Sequence, residues 1–228
     1  MAKKKITRKQ LLKEPDEFLT FSGKLFRFAT THKNKLAVAV GVLITLGIIF
    51  SGVGYFTNKA EKKAFALLDS ATAAYATHMK NGDPQAAYRE VEKDFQLLVD
   101  QYGNREGGKL ARIVFADICY QAGEADRAAA LYTAALSDFR DRPSLKNVIL
   151  SGLAYSLEQK KDYPAAAAQF EAIVSGTDPT LKDDALYNLG IIYTKTGNPE
   201  KSTKVFNKIL EDYPDYPYRD LIREGPTG

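Results

Sequence analysis

A chain of 228 residues that is 45% hydrophobic, with 32 basic and 28 acidic residues, has the averages of one soluble, slightly basic domain. The charge is unevenly placed: residues 1 to 35 hold ten Lys/Arg (Lys3, Lys4, Lys5, Arg8, Lys9, Lys13, Lys24, Arg27, Lys33, Lys35) against Glu14, Asp16 and Glu17, a net of +7, leaving 22 basic and 25 acidic residues, a net of −3, for the rest. A basic head on a mildly acidic body argues against nucleic-acid binding, the lone Cys119 rules out a disulfide framework or cysteine zinc cluster, and His32 and His78 leave little for a histidine metal site.

The first predicted element is a helix opened by Pro15, Asp16 and Glu17, with proline in the first turn and acids at the positive end of the dipole. At 100° per residue, Phe18, Leu19, Phe21, Leu25, Phe26 and Phe28 fall on one half of it and Glu17, Lys24 and Arg27 on the other. This reads as an amphipathic helix for the cytoplasmic leaflet, within a basic tail of residues 1–35. A merely sticky linker is the alternative.

Residues 36–56, LAVAVGVLITLGIIFSGVGYF, contain no charge and make about 31 Å of helix at 1.5 Å per residue, enough to span a bilayer. A cleaved signal peptide fits less well, because the run begins after 35 residues, is about twice the usual core length and is followed by no small-x-small site. No lipidation cysteine directly follows it. The basic bias, with only Lys59, Lys62 and Lys63 in the twenty residues beyond Phe56, leaves the N-terminus in the cytoplasm, and Tyr55 and Phe56 suit an interfacial anchor. Ala37, Gly41, Thr45 and Gly52 form a small-residue stripe suited to packing on a second membrane helix.

From residue 57 to 214 the pattern is helical, in alanine-rich amphipathic runs without sustained alternation. Gly82-Asp83-Pro84, Gly123-Glu124-Ala125, Lys161-Asp162-Tyr163 and Gly197-Asn198-Pro199 interrupt it at separations of 41, 38 and 36 residues, a period that points to stacked helical hairpins. Around the last turn stand Leu186-x2-Leu189-Gly190-x2-Tyr193, then Ser202-x3-Phe206 and Pro214. The third copy has Leu150-x2-Leu153-Ala154-x2-Leu157 and Ala166-x3-Phe170; the second has Phe115-Ala116-x2-Cys119 and Ala128-x3-Tyr132. The first keeps Ala74-Tyr75-x2-His78 and Ala87-x3-Val91.

This pattern resembles the tetratricopeptide repeat. The expected fold is all-α: one N-terminal transmembrane helix, then a right-handed tetratricopeptide-like α-solenoid of about four hairpins. A small residue on each first helix lets the second cross closely, and the aromatic or branched residue on the second fills the gap. Cys119 and His78 fall at a core position of the pattern, so a structural thiol is expected. After Pro214 a short tail, 215–228, offers one turn of helix burying Leu221 and Ile222 as a cap; otherwise the last apolar face meets a partner or a second copy of the chain.

No catalytic or cofactor motif emerges. Gly52 and Gly54 lie in the span, Gly107-Gly108 precedes a helix without a strand or a Lys-Ser/Thr, and Asp183-Asp184 suits a helix dipole better than acid–base work. Stacked hairpins instead present a concave surface lined by their first helices, and the side chains there that lie off the core pattern include Asp117, Tyr120, Gln121, Tyr155, Glu158, Tyr187, Thr194 and Lys195. Tyrosines with flanking charges suit a groove for an extended or helical peptide; several of them filling space between repeats is the competing reading.

The layout of basic tail, single span and alanine-rich four-hairpin domain, with Lys35-Leu-Ala-Val-Ala-Val-Gly-Val42 entering the span, resembles the YfgM-like ancillary subunits of the bacterial Sec translocon. The resemblance implies an inner-membrane protein with a periplasmic repeat domain that holds substrates emerging from the translocon, without enzymatic activity, cofactor or metal. Its partners would be proteins, and lipid through the single span. The alternative is a periplasmic adaptor for envelope assembly or cell division.

Overall fold

The computed structural model describes residues 17–224; the basic cluster Lys3 to Lys13, the helix start at Pro15-Asp16 and residues 225–228 lie outside the described residues. Every regular element among the described residues is helical. In chain order these are α1 (Glu17–Thr31), α2 (Lys33–His78), α3 (Pro84–Tyr102), α4 (Glu106–Gln121), α5 (Ala125–Asp138), α6 (Pro143–Gln159), α7 (Tyr163–Ser175), α8 (Lys182–Lys195), α9 (Pro199–Asp212) and α10 (Arg219–Glu224), with a short 3-10 turn at Met79–Asn81.

The chain divides into two compact units between Asn58 and Lys59. In the first, Phe21, Leu25, Phe26 and Phe28 of α1 are exposed, with His32 edge-on to Phe28 at 4.8 Å. The apolar run of residues 36–56 lies within α2, which is long and apolar enough to cross a membrane and whose large side chains from Val38 onward are exposed, Phe50 at 83%. The Thr45 hydroxyl donates to the Gly41 carbonyl at 2.9 Å, so its polar group is satisfied within the helix.

In the second unit Leu68 and Ala71 near the end of α2 share a core cluster with Tyr88, Val91 and Phe95 of α3; α4 pairs with α5, α6 with α7 and α8 with α9, and from α3 onward each helix packs on the next. Local chemistry explains the hairpins. In three of the four turns the chain leaves the first helix through a pair of reversed hydrogen bonds: Gly123 N–H to Tyr120 O and Glu124 N–H to Cys119 O, Lys161 N–H to Glu158 O and Asp162 N–H to Leu157 O, Gly197 N–H to Thr194 O and Asn198 N–H to Tyr193 O. That closure needs a left-handed residue, and Gly82, Gly123, Lys161 and Gly197 all have φ between 63° and 84°. The residue that completes the closure immediately starts the next helix: the Asp162 carboxylate accepts from Ala165 N–H, and in the first turn Asp83 accepts from Gln85 and Ala86 N–H. Proline follows at the first or second position of α3, α7 and α9, where its missing N–H costs nothing.

The packing follows the small-then-aromatic pattern. A methyl group added at Gly190 on α8 would lie 2.5 Å from the Phe206 ring on α9; between hairpins, one at Gly152 on α6 would lie 2.3 Å from the Tyr132 ring on α5. Gly107 and Gly108 stand inside the first turn of α4, not ahead of it, and both are buried. A methyl at Gly107 would meet Ala64 of α2 at 2.9 Å, so glycine sets how closely α4 approaches α2.

Phe95, Phe115, Phe139 and Phe170 are almost fully buried, spread over the first three hairpins, and each contributes about 2–3 kcal/mol by leaving water. Phe115 stacks on Phe95 at 5.4 Å and on Tyr88 at 6.3 Å. Cys119 is buried in the same cluster, while His78 is exposed at the end of α2. The C-terminal edge is covered by Tyr216 and Ile222, which pack with Leu186, Phe206 and Ile209. Arg219 fastens this cap by donating to the Leu210 and Tyr213 carbonyls at the end of α9, at 2.7 and 3.1 Å. Of the two cap residues expected from the sequence, Ile222 is buried but Leu221 stays 45% exposed, because a single short turn turns only one of two neighbouring side chains inward.

Candidate protein-binding surface

Contacts between successive first helices define one wall of the repeat unit. From α2 to α4, the Tyr75 hydroxyl donates to Gln121 Oε1 at 3.0 Å, and Gln121 Nε2 donates to Asp117 Oδ2 at 2.6 Å. From α4 to α6, the Tyr120 and Tyr155 rings lie 6.3 Å apart and tilted. From α6 to α8, Asn188 donates to the Tyr155 hydroxyl at 2.9 Å and Lys195 pairs with Glu158 at 2.7 Å. Tyr155 also meets Phe170 edge-on at 5.5 Å, so its ring is half in the core and its hydroxyl on the wall.

Six of the eight residues expected in a groove therefore belong to this wall: Asp117, Tyr120, Gln121, Tyr155, Glu158 and Lys195. The other two are placed differently. Tyr187 packs against Phe206, Tyr216 and Tyr218 with ring centroids 5.4 to 6.1 Å away, filling the space between α8 and the C-terminal cap. The Thr194 hydroxyl donates to the Gly190 carbonyl and lies 2.8 Å from the Ser202 hydroxyl, so it links α8 to α9. Tyr75 and Asn188 join the wall without having been singled out in the sequence. Tyr75 had a signal, since it stands next to the small residue of the degenerate first copy, as Asp117, Tyr155 and Ile191 do in later copies.

The surroundings of this wall shift its titratable groups. Asp117 is solvent-accessible, yet the protein around it strips enough water to push its carboxyl above the ordinary aspartate value, Gln121 offsetting part of this. Burial likewise raises Tyr120, with the charges of Glu158 and Asp117 adding to it, and raises Tyr155. On this wall Glu158 pairs with Lys195, while Asp117 is hydrogen-bonded by Gln121 and has no ion-pair partner among the described residues.

Elsewhere, polar contacts serve the stack. Arg127 of α5 pairs with Glu92 of α3, donates to the Tyr88 hydroxyl and Gln96 at 2.6 Å, and lies over the Phe115 ring at 4.7 Å. Arg112 pairs with Asp138 within the second hairpin. Glu61 reaches from α2 to accept the Glu106 and Gly107 N–H groups at 3.2 and 2.8 Å, capping α4 from 45 and 46 residues away. The first-turn acids of α8 include Asp184, whose Oδ1 also accepts from the Tyr216 hydroxyl at 3.2 Å. Among the described residues no group of three or more His, Cys, Asp or Glu is placed to hold a metal ion.

Stacked two-helix hairpins with a wall built from their first helices make this an α-solenoid of the kind that binds other proteins. The family model described as a tetratricopeptide repeat-like domain matches residues 31–222, and the chain belongs to that family. Comparison with curated proteins gives no match. Domains of this class act as protein-interaction modules, typically without catalysis.

Proposed function

We propose that the chain is a membrane-anchored scaffold whose extracytoplasmic repeats hold segments of other proteins, exported chains emerging from the Sec translocon among them. The observation that carries the binding half is the wall of Tyr120, Tyr155, Asp117 and Glu158, large aromatic contact areas set beside fixed polar groups. The anchoring half rests on the exposed apolar run of residues 36–56, too extensive an apolar surface to leave in water, and on a family match that begins at residue 31, ahead of it. A methyl at Gly41 would meet nothing within 4 Å, so the small stripe Ala37, Gly41, Thr45 and Gly52 is not used up inside the chain; this supports a second membrane helix as its neighbour. In this reading the N-terminus is cytoplasmic, the repeats lie in the periplasm of a bacterial inner-membrane protein, and the mechanism is recognition and holding with no covalent step.

Site-directed photocrosslinking in intact membranes tests it. Probes at Tyr120 and Tyr155 should give adducts with translocon subunits or newly exported chains, while a probe at Tyr187 should crosslink within the chain to the Tyr216–Tyr218 segment. Adducts confined to envelope-assembly or division proteins would overturn the translocon assignment in favour of an envelope adaptor. Absence of any intermolecular adduct from positions 120 and 155 would overturn the groove itself.

A further inference from the structure

The wall contains one carboxylate whose counter-charge is missing. Glu158 is paired with Lys195, and Asp184 accepts from Tyr216, but among the described residues no cation lies within ion-pair distance of Asp117. Its carboxylate is nevertheless held in place. Tyr75 of the first hairpin fixes the Gln121 amide, and Gln121 fixes Oδ2 of Asp117, while Oδ1 accepts no hydrogen bond from the described residues. A relay through two side chains orients an oxygen that the protein itself does not use.

Two tyrosines of the wall stand beside this carboxylate: Tyr75 is linked to it through Gln121, and Tyr120 lies on the same helix. Tyr120 stands one turn along α4 with its ring against Tyr155, and the charge of Asp117 is felt by Tyr75, Tyr120 and Tyr132. Ring faces attract cations, and a carboxylate partly stripped of water gains more from an arriving cation than one fully solvated. A negatively charged ligand, by contrast, would meet the unpaired charge of Asp117, since Glu158 is already matched by Lys195.

We infer that Asp117 and Tyr120, supported by the Tyr75–Gln121 relay and flanked by Tyr155, form a subsite for the cationic side chain, arginine or lysine, of an extended segment of a partner protein. This rests on the groove reading above and gives it a chemistry. Arginine suits the subsite best, because its planar guanidinium can donate to Oδ1 while lying on a tyrosine ring. Neighbouring residues of the segment would run along the wall over Tyr155 and Asn188 towards Glu158.

The test uses the full-length protein in detergent micelles and a fluorescent heptapeptide, acetyl-Ala-Leu-Ser-Arg-Ser-Leu-Ala-amide, against the same peptide with citrulline for arginine. Citrulline keeps the shape and removes the charge. Anisotropy should show the arginine peptide binding about tenfold more tightly, the value of roughly one partly desolvated ion pair with a ring contact. Asp117→Asn should abolish that preference and leave citrulline binding unchanged, and Tyr120→Ala should weaken both peptides. Unchanged helicity and an unreactive Cys119 thiol would show that each variant is folded. Equal binding of the two peptides, or a preference that survives Asp117→Asn, overturns the subsite while leaving the groove standing. Binding of neither peptide, together with no crosslinks from Tyr120 and Tyr155, overturns both.

Discussion

Replacing Gly190 by alanine sets two effects of opposite sign against each other. Glycine in the middle of α8 costs about 1 kcal/mol in helix propensity, which alanine would recover. The added methyl, however, would sit 2.5, 2.6 and 3.0 Å from Cε1, Cζ and Cδ1 of Phe206, against an ordinary carbon contact of about 3.5–4.0 Å. The ring must retreat by roughly 1 Å, and it cannot do so freely, since it is 5% exposed and backed by Tyr187 at 6.1 Å. Overpacking of this kind costs about 1–3 kcal/mol, so Gly190→Ala should be destabilising by about 1 kcal/mol net. Phe206→Leu clears the space at a cost of about 1 kcal/mol, and in that background the alanine should be neutral or favourable, a coupling of about 1–2 kcal/mol. Hydrogen exchange of the α8 and α9 amides in the full-length protein reads this directly, since 1.4 kcal/mol is tenfold in exchange rate. Slower exchange in Gly190→Ala alone, or additive single and double substitutions, would refute the close crossing.

Three further outcomes are expected. Lys161 occupies the left-handed turn position that glycine holds in the other three hairpins, so Lys161→Gly should stabilise the chain by about 1 kcal/mol and Gly123→Ala should destabilise it by a similar amount, read as opposite shifts of the urea midpoint. The Glu92 carboxyl is held below its ordinary value, chiefly by the hydrogen bond from Arg127, so the stability this adds is present at neutral pH and is lost as pH falls through the acid range; Arg127→Met should lower the midpoint at pH 7 and flatten that acid dependence, and an unchanged pH profile would count against the staple. Burial pushes the Cys119 thiol up to about 12, so iodoacetamide at pH 8 should label it only after denaturation, and fast labelling of the folded chain would place it outside the core.

The hairpins were legible in the sequence because their signals are local. A left-handed glycine, a capping aspartate and a proline act within four residues of one another, and Ala166-x3-Phe170 or Ser202-x3-Phe206 states its own helical face. The contacts that hold one hairpin on the next have no such signature. Glu61 capping α4, Arg127 reaching Glu92, and Asn147 donating to the Thr180 carbonyl at 2.9 Å join positions 33 to 46 residues apart, and each looks like an ordinary surface residue until the stack sets the register. The wall was partly legible for the same reason. Tyr120 and Tyr155 follow from the repeat phase, but Tyr187 has the same phase and lies under Tyr216 and Tyr218, because the cap that covers it comes from beyond the last repeat.

The turns within the hairpins have a consequence for how such a chain tolerates change in length. Where one residue both closes the outgoing helix and opens the next, as Asp162 does, the connection has no slack. One inserted residue would break the closure or the cap and rotate the following helix by about 100°, carrying its apolar stripe out of the core. The segment between α7 and α8, residues 176–181, is the longest connection between successive hairpins, and besides its own Asp178–Thr180 turn it is tied down by side chains, Ser144 to Asp178 and Asn147 to Thr180. Insertions and reporter tags should therefore be absorbed there and rejected at the three tight turns, which makes the spacing of the first helices, and so the span of peptide the wall can read, a quantity fixed by turn length.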